Sequence, residues 1–260
     1  MLKLKEKLQK KELTIGSWLS FSYLPITEIM AKAGFEWLVI DMEHTAIDYS
    51  QVLSMVQLLD LANIPVLIRI GKNDELLIKK ALEIGAKGII VPMVNTKTDA
   101  AKAVSYAKYF PYGKRGSGLF RAQDYGMSFQ TYREWNNENI IVIVQIEHIE
   151  AVKNLSDIVQ VEGVDGFIIG PYDLSASAGF PGNFTHPDVL RLFNNVVEFM
   201  KNCDKPGGYH IVHTDKKLLE DKILEGYSFI AYGVDMIFFR EKIEEIKRDL
   251  VNVKKKMGNL

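Results

Sequence analysis

The side chains able to do chemistry stand at the ends of short apolar runs. LVIDMEH carries Asp41, Glu43 and His44 behind an uncharged stretch, and LIRI brings Arg69 to the end of another. VQIE supplies Gln145 and Glu147, and GPYDLS supplies Asp173 directly after the next run. Two carboxylates held close together repel unless a proton or a cation lies between them. Glu147 and Asp173 therefore read either as an acid/base pair or as ligands of a hard divalent cation. Mg²⁺ and Mn²⁺ take oxygen ligands and complete their shell with water and substrate oxygens, for which a 2-oxo acid offers two. Arg69 closes an otherwise apolar strand, where an unpaired charge is costly. It calls for an anionic partner, either a substrate oxyanion or a carboxylate of the site. His44 has two readings, a general base or a structural histidine.

Two absences narrow the chemistry. A Schiff-base mechanism needs a lysine at a strand end. Lys87 precedes its strand and Lys32 lies on a helical segment, which leaves Lys72 as the one lysine placed for it. A phosphate-binding cup after the seventh run would want glycine, and the segment there is HTDKK. Covalent lysine catalysis and a phosphorylated substrate are both disfavoured.

The elements that must position these groups are eight. IGSWLSF from Ile15, WLVIDM from Trp37, PVLIRI from Pro65, GIIVPM from Gly88, IIVIVQIE from Ile140, GFIIGP from Gly166, GGYHIV from Gly207 and FIAYGVD from Phe229 read as strands. Their continuous apolar character implies burial on both faces, as in a parallel sheet. Helical periodicity fills the intervals, as in YSQVLSMVQLLDLAN and DELLIKKALEIGA, and several helices end in Gly or Asn, the residues of a left-handed C-cap. Eight β–α units in 260 residues point to a closed (β/α)₈ TIM barrel, a single domain over residues 1–260. Its active site belongs at the C-terminal strand ends, where Asp41, His44, Arg69, Gln145, Glu147 and Asp173 stand, with Trp18 near the end of the first strand. The segment from Pro111 to Asn139 interrupts the rhythm with a long Gly- and aromatic-rich excursion, expected to fold over the barrel mouth.

Bulk properties exclude several classes. A formal net charge of −1 gives no global field for nucleic acid or membrane. One cysteine, Cys203, excludes an internal disulfide framework and suits a cytoplasmic location. The basic N-terminus lacks the continuous apolar stretch of a secretory signal or membrane span and reads as a short helix burying Leu2, Leu8 and Leu13. The C-terminal segment carries Ile243, Ile246, Leu250 and Val253 at helical spacing.

Eight motifs in fixed order, GSWLSF, LVIDMEH, LIRI, LEIGAKGIIVPMV, FPYGKRG, VQIE, IGPYDLSAS and AYGVDMIFF, make the chain resemble the HpcH/HpaI aldolase family from Leu13 to Arg240. The resemblance implies a metal-dependent pyruvate aldolase that reversibly cleaves a 4-hydroxy-2-oxo acid to pyruvate and an aldehyde. It implies a barrel with a swapped C-terminal helix, assembled as a homo-hexamer or another homo-oligomer. Residues matching Glu147 and Asp173 hold the cation (Mg²⁺, Mn²⁺ or Co²⁺). The one matching His44 is the base, supported by Asp41, and the one matching Arg69 contacts the pyruvyl oxygen. Gln145 lines the metal site, Trp18 the pocket wall, and backbone amides near Tyr172 and Asp173 receive the pyruvate carboxylate. Glu83 matches an acidic position that supports the histidine of a neighbouring chain. Met42 in DMEH, the bulk of Tyr172 and His148 after Glu147 depart from the familiar pattern and leave the aldehyde unspecified. Two rival readings are a malyl- or citramalyl-CoA-type lyase, for which Lys114, Arg115 and Arg121 are the cations near the mouth, and a non-catalytic barrel that binds a 2-oxo acid.

Overall fold

The computed structural model describes residues 4–258. The eight strands are β1 (Thr14–Leu19), β2 (Trp37–Asp41), β3 (Val66–Arg69), β4 (Gly88–Val91), β5 (Ile141–Ile146), β6 (Gly166–Ile169), β7 (Gly207–Ile211) and β8 (Phe229–Val234). They pair in sequence order, all parallel, and β8 closes on β1. Helix α1 (Leu4–Gln9) precedes the barrel; α2 (Leu24–Ala31), α3 (Tyr49–Leu61), α4 (Glu75–Glu83) and α5 (Lys97–Ala107) follow the first four strands. Next come α6 (Phe129–Asn139), the short α7 (Ile149–Lys153) and α8 (Leu155–Val159), then α9 (Pro171–Ser177), α10 (Pro187–Met200), α11 (Lys216–Leu224) and α12 (Asp235–Lys256). The expected TIM barrel is thus the observed fold, and each expected strand is found.

Alternation along the strands divides the core in two. Leu38, Ile40, Val66, Ile68, Val142 and Val144 face the helices in the larger cluster. Trp18, Trp37, Val39, Leu67, Ile90, Ile143, Ile168 and Ala231 fill the barrel interior in the smaller one, with Leu4 and Leu8 of α1 packed beneath. Leu13, expected to be buried, is 42% exposed because the chain turns there into β1 rather than continuing the helix. Leu2 lies outside the described residues. The expected C-cap chemistry is present: Gly34, Asn63 and Gly85 adopt positive φ behind α2, α3 and α4.

The excursion does not cover the mouth of its own barrel. It follows α5, which has already returned the chain to the N-terminal side of the sheet, so it packs on α4 and on the lower ends of α3 and α5. Arg121 donates to the Ile84 carbonyl and to Asp60, Asn136 donates to the Ala107 carbonyl, and Tyr132 donates to the Leu82 carbonyl. Lys114 pairs with Glu75, Arg115 with Glu83 and Arg121 with Asp60. The three cations considered for a CoA-type lyase are thus each paired with a carboxylate of the same chain.

Candidate active site

The inward parity of each strand carries through to its C-terminal end. Val39 and Leu67 point into the barrel, so Asp41 and Arg69, two residues further on, do as well. Ile143 does the same for Gln145 and Glu147. Asp41 and Arg69 are adjacent in the β2–β3 register and both nearly sealed from solvent, at 4% and 8% exposure. The guanidinium engages the carboxylate as a fork, Nε to Oδ1 at 2.9 Å and Nη2 to Oδ2 at 2.7 Å. Burial works to raise the Asp41 pKa, but the Arg69 hydrogen bond and charge, with the Glu43 and His44 amides, outweigh it and hold the carboxyl low. Burial likewise opposes the charge on Arg69, and Asp41 more than compensates.

Glu43 is the residue to which sequence reasoning gave no role. Its Oε2 lies 3.2 Å from Arg69 Nη1, is sealed from solvent, and has no aligned hydrogen-bond partner. Burial pushes its pKa up to about 7; Arg69 pulls down, while Glu147, Asp41 and Asp173 push further up.

Glu147 is 2% exposed. Its Oε1 accepts the Met93 N–H at 2.7 Å and its Oε2 accepts from the Gln145 amide. Met93 takes a positive φ of 52° directly beyond β4, a conformation uncommon for a non-glycine residue, and that bend delivers its amide to the carboxylate. Burial raises the Glu147 pKa, the two hydrogen bonds offset this in part, and Asp173 adds repulsion. Gly170 lets α9 start hard against this group, since a Cβ there would stand 2.9 Å from Glu147 Oε2. Asp173 follows in the first turn of α9, exposed and without a hydrogen bond or ion pair among the described residues. The first-turn amides of α9 have no side-chain cap from Gly170, and a helix N-terminus of that kind favours an anion. Tyr172 stands beside them, 44% exposed, edge-on to Phe184.

His44 hangs at the rim with its side chain 62% exposed and Nε2 3.8 Å from Glu43 Oε2. Asp41, expected to support it, reaches it only through the backbone amide at 3.4 Å, because both carboxylate oxygens are committed to Arg69. Trp18 is buried, with the Arg69 guanidinium carbon 5.4 Å from its ring centroid. The structure therefore gathers Trp18, Asp41, His44, Arg69, Gln145, Glu147, Tyr172 and Asp173 around one mouth. Glu83 stands apart from them. It ends α4, accepts from Arg115 at 3.0 Å and Gln123 at 3.2 Å, and is largely buried rather than a solvated surface residue. Lys72 is exposed on the loop after β3.

Residues 14–241, covering every strand that carries these groups, match the HpcH/HpaI aldolase/citrate lyase family. The chain belongs to that family. It is 36% identical over 244 residues to 2-keto-3-deoxy-L-rhamnonate aldolase of Escherichia coli, covering 93% of this chain and 90% of the relative. Among solved structures, an HpcH/HpaI aldolase/citrate lyase family protein of Burkholderia cenocepacia superposes with a TM-score of 0.89 at 30% identity, covering 95% of this chain and 98% of the other. A citrate synthase superposes with a TM-score of 0.83 at 27% identity over the whole of both chains. The family resemblance drawn from the eight motifs is borne out. The relatives of this HpcH/HpaI-family barrel are thus described as aldolases, citrate lyases and a citrate synthase.

Proposed function

We propose that this chain is a metal-dependent class II aldolase that reversibly cleaves a 4-hydroxy-2-oxo acid to pyruvate and an aldehyde. The observation that carries the reading is the charge imbalance at the mouth. Four carboxylates, Asp41, Glu43, Glu147 and Asp173, face one cation, Arg69, and Asp41 already holds it. Among the described residues no three His, Cys, Asp or Glu side chains enclose a metal by themselves. A site of two carboxylates completed by water and a chelating 2-oxo acid does not require that. The orphaned Glu43 oxygen and the raised pKa values of Glu43 and Glu147 fit a divalent cation (Mg²⁺, Mn²⁺ or Co²⁺) held by Glu147 and Asp173, with Gln145 fixing the Glu147 carboxylate.

When bound, the cation supplies Lewis-acid polarisation of the 2-oxo group. The amides of Tyr172 and Asp173 receive the carboxylate of the substrate. His44, free at the rim, takes the C4-hydroxyl proton as the C3–C4 bond breaks. Arg69, held rigid by Asp41, stabilises the oxygen on which the pyruvate enolate develops its charge. The aldehyde leaves and the enolate is reprotonated at C3. Trp18 walls the pocket. In the decisive experiment, chelator abolishes pyruvate release from the purified protein, added Mg²⁺, Mn²⁺ or Co²⁺ restores it, and borohydride with pyruvate leaves no adduct on Lys72 or any other lysine. A pyruvyl-lysine adduct by mass spectrometry overturns the reading. His44→Ala is expected to lower kcat by roughly 10²–10⁴, the scale of losing a general base. Its thermal midpoint should stay at the wild-type value, because the ring is exposed; near-normal cleavage removes histidine from the mechanism.

Proton uptake gives a second handle. Glu43 in the metal-free fold titrates at about 7, above the ordinary glutamate value. Below that pH a binding cation must compete with its proton, so metal affinity should rise as pH climbs through 7 and then level off. Calorimetric titration in buffers of different ionisation enthalpy should show proton release near pH 6.5 that fades by about pH 8.5. Release independent of pH counts against Glu43 as part of the site.

The same reading includes a homo-oligomer, a hexamer in its fullest form, with α12 swapped onto a neighbour. Asp235 is the buried residue of that 22-residue helix, whereas Phe239, Ile243, Ile246, Leu250 and Val253 lie exposed along it. An apolar stripe of this kind marks an interface. Glu83 then supports His44 of another subunit, since it cannot reach that of its own. Inactive His44→Ala and weakened Glu83→Gln subunits, unfolded together and refolded as mixed oligomers, should exceed the mean activity of the two parents. Activity at that mean assigns Glu83 to its Arg115 pair alone. Among the described residues no helix is long and apolar enough to cross a membrane; the balanced charge and single cysteine favour a cytoplasmic enzyme acting on small molecules, without nucleic acid.

A further inference from the structure

The face of the barrel opposite the mouth carries a cavity of its own. Pro65 precedes β3, Lys87 precedes β4 and Ile141 opens β5, so all three stand at the N-terminal strand ends. They line a cavity of about 490 Å³ that is bounded also by Leu4 of α1 and Trp135 of α6. No step assigned to the mouth uses any of these residues. The wall is largely apolar: Leu4, Ile64, Pro65 and Ile141 form it, with the half-buried Trp135 indole beside them. A concave apolar surface with a few polar groups converging on it is the usual form of a small-molecule site.

The polar groups decide what such a site would hold. Lys5 is committed, donating to the Ile140 carbonyl at 2.7 Å and pairing with Asp165. Asn139 donates to the Trp135 carbonyl. Lys87 is different. Its side chain is 40% exposed, with Nζ 3.2 Å from Asp60 Oδ1 and 5.9 Å from the Trp135 ring centroid. The other oxygen of Asp60 is taken by Arg121 at 2.6 Å. One carboxylate thus serves two cations, which leaves a positive charge beside the apolar wall. Asp124 lines only the adjoining cavity, of about 310 Å³, which shares Asp60, Lys87 and Trp135 with this one. Three ligand classes can be compared. A cation would be repelled by Lys87 and Arg121. A phosphate dianion would want a second uncommitted cation, and Lys5 is spent. A monoanion with a ring uses both halves, its charge in a charge-assisted hydrogen bond to Lys87 and its ring against the Trp135 indole and the aliphatic wall. We infer that this cavity is a second ligand site, separate from the mouth, for an aromatic monocarboxylate. The inference does not depend on the aldolase reading.

The test titrates the full-length protein with 3-phenylpropanoate in chelator, where no cation at the mouth attracts a carboxylate. Trp18 and Trp37 are sealed at 1% and 0% exposure, which leaves Trp135 as the tryptophan able to report on this face. Saturable binding by calorimetry is expected, with a matching change in tryptophan fluorescence. Two probes each lack one feature: 3-phenylpropanol the charge and propanoate the ring. Each should bind at least about tenfold more weakly. Lys87→Gln should lower affinity for 3-phenylpropanoate by about tenfold and leave that for 3-phenylpropanol unchanged. Its unfolding midpoint should stay near the wild-type value, because Arg121 still holds Asp60. Trp135→Phe keeps a ring and removes the reporter, so calorimetry should still detect binding while the fluorescence change disappears. No saturable binding, equal affinity for acid and alcohol, or undiminished affinity in Lys87→Gln overturns the assignment. A fluorescence change that survives in Trp135→Phe places the ligand beside Trp18 at the mouth and overturns it as well.

Discussion

Arg69→Ala is expected to lower kcat/KM for pyruvate release by about 10²–10³ and to destabilise the fold by about 3–5 kcal/mol. Both effects come from one geometry. The guanidinium is 8% exposed and forked onto Asp41, with Glu43 on its other side. Its removal takes the positive charge away from the developing enolate oxygen and strands a buried carboxylate. The sign of the pH dependence follows. Asp41 is held below its ordinary value by Arg69, so the pair contributes stability that is present above the unfolded pKa of about 4 and lost as pH falls below it. In Arg69→Ala, burial is opposed only by the Glu43 and His44 amides, and that pKa rises. The variant should therefore be weakest at neutral pH and regain stability as pH falls toward the raised value. Asp41→Asn in the Arg69→Ala background separates the two losses, since it removes the stranded charge without restoring the guanidinium. Thermal unfolding by circular dichroism should recover in part in the double variant while turnover does not. Near-normal turnover in Arg69→Ala removes the guanidinium from enolate stabilisation.

The barrel was legible because strands buried on both faces must be continuously apolar, and eight such runs alternate with helical patterns. The same rule exposed Asp41, Arg69 and Glu147, since a charge closing an apolar run can point only toward the mouth. Glu43 was visible beside them, but its character depends on distances to Arg69, Glu147, Asp41 and Asp173, which come from four other points on the chain. Met93 was illegible for a different reason. Its contribution is a backbone amide released by a local positive φ, and no side chain advertises it.

The misplaced excursion shows where composition misleads. Its length and glycine content suggested a lid, yet the order of elements decides the side of the barrel on which a loop emerges. A segment between α5 and β5 starts on the N-terminal side of the sheet, and the contacts of Arg121, Asn136 and Tyr132 follow from that. Glu83 was correctly placed away from its own mouth by this connectivity, while its pairing with the buried Arg115 required the three-dimensional path of the excursion.

Glu147→Gln and Asp173→Asn should each weaken divalent-metal binding by about 10²-fold or more, beyond the scale of losing an outer-shell partner, and turnover at fixed metal should fall accordingly. The two variants should nevertheless differ in stability. Glu147 receives hydrogen bonds on both oxygens, from Met93 N–H and from the Gln145 amide. A glutamine there must turn its own NH₂ toward one of those donors, which leaves a buried donor unpaired at a cost of about 1–3 kcal/mol. Relief of repulsion among Glu43, Glu147 and Asp173 offsets part of that cost, so a modest net loss is expected. Asp173 is exposed and bonded to nothing among the described residues, so Asp173→Asn sheds repulsion but also a favourable carboxylate in the first turn of α9, and the metal-free protein should stay close to wild-type stability. Calorimetry with Mn²⁺, together with thermal unfolding in chelator, reads both quantities on the same samples. Wild-type affinity in both variants means that the cation sits elsewhere. Weakened binding in Glu147→Gln alone would leave Glu147 as a ligand and remove Asp173, transferring the second carboxylate role to Glu43, the one remaining side chain of the cluster with an unbonded oxygen facing the same space.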